Sequence, residues 1–223
     1  MTLPDQTKSE ARVKNTKEQY EALGRFVEAF EDMVDDVRMA GMDLLSRLSD
    51  KPTYAETHRK LLHIVFHHQA LTAKPLFEIM RSMVAETLKS HGYRGRYGLA
   101  ESECATFCAV VRMIGREYGE LVMARNNLLH AQWGIGFPYD DDPDGTRFFI
   151  FKGNPNKDGW ATLEGLPSTA SELLALSKRC QEVSHWMELT VSCLGFRDSG
   201  LKIVDCFEFD GKQWRCVRSM QED

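Results

Sequence analysis

The stretch "FCAVVRMIGREYGELVMARNNLLH", residues 107–130, reads as one amphipathic helix. Phe107, Val111, Ile114, Tyr118 and Leu121 recur at intervals of three and four, the period that lays side chains along one helical face. The next step on that face lands on Arg125, where a further apolar side chain is expected. A guanidinium thus sits on the side meant for the core. Asn126 and His130, four apart, share another face that runs back through Met123, Glu120 and Arg116. On an ideal helix His130 lies about 140° around from Arg125. One helix therefore aims the two side chains apart unless side-chain length compensates, whereas two copies about a twofold axis could aim them at one atom.

The same periodicity organises the flanking chain. Leu23, Phe26, Val27, Phe30, Met33, Val34 and Val37 predict a first long helix over about 16–48, with Thr16 and Gln19 as its capping pair. Thr53 and Glu56 repeat that start signal before a second helical run to about residue 90, which Pro75 should kink or split because it has no N–H to donate. The third helix covers about 101–131. A fourth is expected over about 169–195, starting at Thr169 and Glu172, buried along Leu173, Leu176, Cys180, Val183, Met187 and Leu194, and stopping at Gly195. "TRFFIF" with the following "GW", within 146–160, and "LKIVDCFEFDGKQWRCVRS", 201–219, read instead as short strands. The second is a hairpin turning at Asp210 and Gly211, since Asp-Gly accepts the positive φ of a tight turn. The expected fold is all-α: an up-and-down bundle of about four long helices with a small β appendage and a C-terminal hairpin. Its parts are a flexible segment 1–15, a helical body 16–197 with a β insertion at about 146–163, and the hairpin 198–223.

Composition bounds the function. A chain of 223 residues with 43% apolar and 27% charged content can bury a core, and no run approaches the roughly 20 apolar residues of a membrane span. The N-terminus has no signal-peptide pattern, so a soluble cytoplasmic protein is expected. Six cysteines without a CxxC pair read as reduced, mostly buried thiols. A net charge of −5 excludes broad coating of nucleic acid but leaves room for a local anion site.

Three further stretches carry candidate chemistry. "KSHGYRGRYG" alternates Lys89, Arg94 and Arg96 with Tyr93 and Tyr97, the mixture of charge and stacking that holds single strands; the plain alternative is an inter-helix loop. "HIVFHH" puts His63 and His67 at i and i+4, a spacing for one metal, with Glu78 further along, but lacks the glutamate of HExxH. "DDDPDG" matches the first half of a calcium loop at Asp140, Asp142, Asp144 and Gly145, yet Phe151 stands where a bidentate glutamate is needed, so an exposed acidic turn is expected.

Taken together, Arg125, Asn126, two leucines, His130, a small residue and Trp133 at the end of a long helix resemble the signature of the HEPN superfamily, Arg-x4-6-His with a polar residue after the arginine. "YEALGRFVEAFEDM" (20–33) and "ALTAKPLFEIMRSMV" (70–84) are similar in style to the preceding helices of such proteins, and the resemblance extends over roughly 17–196. It implies a metal-independent ribonuclease, without cofactor, in which the Arg125, Asn126 and His130 sets of two chains meet across a homodimer, in a defence or toxin setting. Single-stranded RNA is the implied partner, while DNA and membranes are not. Gln132 occupies the place where some members carry a nucleotidylated tyrosine, which puts regulation by that route in doubt. In this scheme His130 acts as base or acid, Arg125 holds phosphate oxygens, and Asn126 orients the imidazole or a phosphate oxygen. The competing expectations are a non-catalytic dimeric interaction module, in which Arg125 pairs with Glu117, Glu120 or an acid of another helix, and a helical metal-binding protein using His63 and His67.

Overall fold

The computed structural model describes residues 4–47, 66, 72–89, 99–135, 142–153, 160–162, 166–196 and 200–218. The fold is mainly α with short strands. Four long helices carry it among the described residues: α1 (Pro4–Arg47), α2 (Ala73–Lys89), α3 (Glu101–Leu129) and α4 (Ala170–Val191). None of these helices is long and apolar enough to cross a membrane.

The first helix starts at Pro4, well ahead of the expected cap at Thr16. Residues 4–15 are its opening turns, so the first segment is helical where an unstructured one was expected. Proline suits a first helical turn, where backbone N–H groups have no intrahelical acceptor. Lys14–Glu18 and Lys17–Glu21 add i,i+4 ion pairs on the exposed side. Gln19 is no capping residue either. It is buried, and its Nε2 donates to Gly145 O at 2.9 Å, while Asn15 Nδ2 donates to Asp144 O at 2.9 Å. The buried face of α1 runs through Ala22, Phe26, Ala29, Phe30, Met33, Val37, Ala40 and Leu44; Leu23 and Val27 only flank it.

By packing, the chain divides into two compact units, residues 1–31 with 120–180, and 32–119 with 181–223. The first holds an antiparallel sheet of order β1-β2-β3, from β1 (Gln132–Gly134), β2 (Phe149–Gly153) and β3 (Trp160–Thr162). Trp133 pairs with Ile150, and Lys152 with Ala161. The strands β2 and β3 lie inside the expected insertion; β1 follows the third helix almost at once and had no sequence signal of its own. Beside the sheet, the acidic turn is organised rather than merely exposed. Asp142 is buried, its Oδ1 accepts the N–H and hydroxyl of Thr146, and its Oδ2 accepts the N–H of Arg147. These donors outweigh burial, which alone raises a carboxyl, and hold Asp142 below the usual carboxylate range. The start of α4 is a capping box. Glu172 N–H donates to Thr169 Oγ1 (3.3 Å), and Glu172 Oε2 accepts the N–H groups of Ser168 (2.7 Å) and Thr169 (3.1 Å).

In the second unit, the long helical run expected to about residue 90 is broken close to Pro75, as its missing N–H suggests: Thr72 is non-helical and α2 begins at Ala73. Pro75 lies in the first turn of α2, where the missing N–H costs nothing, and Leu76 N–H donates to Thr72 O. Phe77 stacks on Tyr118 at 4.8 Å, and Tyr118 donates its hydroxyl to Ala73 O at 3.0 Å. Gly115 permits that contact, since a Cβ there would stand 2.8 Å from the Phe77 ring. The last turn of the fourth helix is π-helical: α4 runs on into Ser192–Phe196, one residue past the expected stop at Gly195. Then come a short helix α5 (Ile203–Cys206), where a strand was expected, and the hairpin of β4 (Phe207–Phe209) and β5 (Trp214–Cys216). Its turn is where the sequence places it. Asp210 Oδ1 accepts the N–H groups of Lys212 and Gln213 at 2.9 Å each, and Gly211 takes φ 91°.

Candidate functional site

The expected stripe of α3 is buried throughout: Phe107, Val111, Ile114, Tyr118 and Leu121. Arg125 continues it only in part. Its side chain keeps 29% exposure, because the long aliphatic stem covers apolar surface while the head reaches outward. The guanidinium carbon lies 5.5 Å from the centroid of the Phe30 ring, within cation–π range. Nη2 donates to Glu31 Oε1 at 3.1 Å, and Nη1 makes a long contact of 3.4 Å to Asn126 Oδ1. Nε is enclosed without an acceptor among the described residues.

The ion-pair partner thus comes from α1, 94 residues away, and neither residue carried a signal for it. Glu120, an expected candidate on α3 itself, pairs with Arg179 of α4 at 2.7 Å instead. The sequence reading also missed the work of Trp133. Its indole Nε1–H donates to Leu128 O at 2.7 Å, and its ring stacks on Phe148 at 5.1 Å. An orphan carbonyl at the end of α3 is satisfied in this way, and the chain is turned sharply into β1. A tryptophan just past a helix end, needing an acceptor for its N–H, is the clue that was present.

His130 sits between the end of α3 and this clamp. Its N–H still donates to Asn126 O at 3.1 Å, so its backbone continues the helical pattern, and its side chain is exposed. Asn126 is exposed as well, as are Glu120 and Met123 on the same face. Met123 (61% exposed) and Leu129 (42%) leave apolar side chains exposed along the last two turns of α3. The structure therefore brings Arg125 against Asn126 within one chain, and leaves His130 on the open side of the helix end, away from the Phe30–Glu31 seat of the guanidinium. Such an arrangement offers an anion a planar cation, an amide and a titratable ring on one helix terminus, with one carboxylate competing.

Tyr93, Arg94, Arg96 and Tyr97, and likewise His63 and His67, lie outside the described residues. Glu78 is described: it pairs with Arg81 at 2.5 Å on the exposed side of α2. Among the described residues no group of three or more His, Cys, Asp or Glu is placed to hold a metal. All six cysteines are free thiols, three of them buried. Comparison of the chain with protein-family models, with curated proteins and with solved structures finds no match.

Proposed function

We propose that this chain is a HEPN-like, metal-independent endoribonuclease in which Arg125, Asn126 and His130 of two copies act on one phosphodiester. The observation that carries the reading is the open end of α3, where Asn126 and His130 are exposed and Asn126 meets a guanidinium held by Phe30 and Glu31. Glu31 is a weak obstacle. It is 52% exposed, and ion pairs at such positions contribute only about 0.2–1 kcal/mol. A phosphate that takes two N–H groups of the guanidinium makes a stronger, charge-assisted contact and displaces it.

In the proposed reaction, His130 of one chain removes the proton from the ribose 2′-hydroxyl, which attacks the adjacent phosphorus. The second His130 protonates the departing 5′-oxygen, leaving a 2′,3′-cyclic phosphate and a 5′-hydroxyl. Arg125 counters the charge that builds on the non-bridging oxygens. The exposed Met123 and Leu129 support pairing of the two helix ends, since they give a second copy apolar surface to cover.

The test is incubation of the purified chain with single-stranded RNA in EDTA. Cleavage to cyclic-phosphate ends is expected, with no cleavage of an all-deoxy strand. His130→Ala should lower the rate about 10²- to 10⁴-fold, the contribution of a general acid or base, with folding and oligomeric mass unchanged. Cleavage that survives both His130→Ala and Arg125→Ala overturns the proposal. The second reading, a non-catalytic interaction module, is favoured by the Arg125–Glu31 pair itself, which gives the arginine a role inside one chain. Loss of folding in Arg125→Ala, with no cleavage by the unaltered chain, selects it.

A further inference from the structure

The second unit contains a juxtaposition that the ribonuclease reading does not use. Cys193, in the π-helical turn after α4, and Cys206, at the end of α5, bring their Sγ atoms to 3.7 Å. Both are buried, at 5% and 0% exposure, and both are free. That separation is sulfur–sulfur contact, and a bond needs a closer approach to about 2.05 Å. Beyond Cys206 the chain runs directly into β4, and Val217 of the hairpin donates its N–H to Cys206 O at 2.9 Å.

The geometry points to Cys193 and Cys206 as a site of oxidative modification, at which a hydroperoxide forms a disulfide tying the C-terminal hairpin to the end of α4. In the first step one thiol takes an oxygen atom from the hydroperoxide: RSH and R′OOH give RSOH and R′OH. In the second, the other thiol displaces the hydroxyl: RSOH and RSH give RSSR and water. Two thiols are oxidised by two electrons, and the peroxide is reduced.

Access is the controlling step. Burial pushes the Cys193 thiol up, so its nucleophilic thiolate is scarce while the hairpin is seated. The seat is small. In α5 and β4 only Ile203, Cys206 and Phe207 are buried, while Val204, Phe209 and Val217 are exposed. Local opening of so short an element costs far less than global unfolding and admits the oxidant. Once formed, the bond removes that opening.

Treatment of the full chain with hydrogen peroxide, followed by alkylation and peptide mass mapping, tests this directly. The expected product has lost two hydrogen atoms, links the Cys193 peptide to the Cys206 peptide, melts several degrees higher and reverts with dithiothreitol. Cys193→Ser should abolish the linked peptide while Cys104→Ser leaves it intact. A link to Cys216 instead, or peroxide uptake as sulfinic acid at separate cysteines with no linked peptide, overturns the inference. Mapping of the unaltered chain decides the matter even if a variant fails to fold.

Discussion

Substituting Glu31 by Gln separates the two readings of Arg125. The change keeps the length of the side chain and an amide oxygen able to accept from Nη2, but removes the charge. With 29% and 52% of the two side chains exposed, the ion pair belongs with surface pairs of about 0.2–1 kcal/mol. The contact with Phe30 is untouched. For a chain of this length a loss of ~1 kcal/mol lowers Tm by about 2–4 °C. If Glu31 only restrains a guanidinium that RNA must claim, the same free energy returns as affinity, about 1.4- to 5-fold tighter binding. Thermal melting followed by circular dichroism, and anisotropy of a labelled single-stranded RNA at fixed salt, read the two quantities. Glu28→Gln, an exposed carboxylate one turn earlier on α1, controls for the general loss of negative charge. A fall in Tm beyond about 8 °C, too large for a surface pair, or weaker RNA binding than the control, refutes the reasoning and makes Arg125 a structural residue.

Three other outcomes follow from the same contacts. Trp133→Phe retains the stack on Phe148 but loses the N–H to Leu128 O; it should cost about 1 kcal/mol, read by urea denaturation, and, on the proposed ribonuclease reading, depress RNA cleavage by more than the folding loss explains, because His130 lies between helix and clamp. Gly115→Ala forces Phe77 aside, an overpacking cost of about 1–3 kcal/mol against a helix-propensity gain of ~1 kcal/mol, whereas Gly24→Ala, with nothing within 4 Å of the added Cβ, should raise Tm. On acidification, Asp142 and Glu172 should both cost stability. Each is held below its ordinary value of 3.8 or 4.5, Glu172 first by the N–H of Ser168 and Asp142 by donors that overcome its burial, so their stabilisation is complete above those values and is lost as pH falls through the lower folded ones. A melt series from pH 6 downward shows this, and Glu172→Gln should flatten it.

The legible parts of the fold are those set by short-range rules. The burial stripe of α3, the capping box at Thr169 and Glu172, and the Asp210–Gly211 turn each depend on residues within four positions of one another. Where the reading failed, a tertiary partner had replaced a local one. Thr16 and Gln19 have the pattern of a cap, yet Gln19 bonds Gly145 and the helix begins at Pro4. Nothing local foretells β1, a strand of three residues held by its pairing with β2.

For the candidate site the division is the same. Sequence alone determined that Arg125, Asn126 and His130 crowd the end of one helix, since helical spacing places them there whatever surrounds it. Tertiary structure decided that the arginine rests on Phe30 and Glu31, that Trp133 closes the helix, and that the histidine stays in solvent. A charge's partner is chosen by distance in space, and 94 residues of chain separate Glu31 from Arg125. Periodicity carries no information at that range.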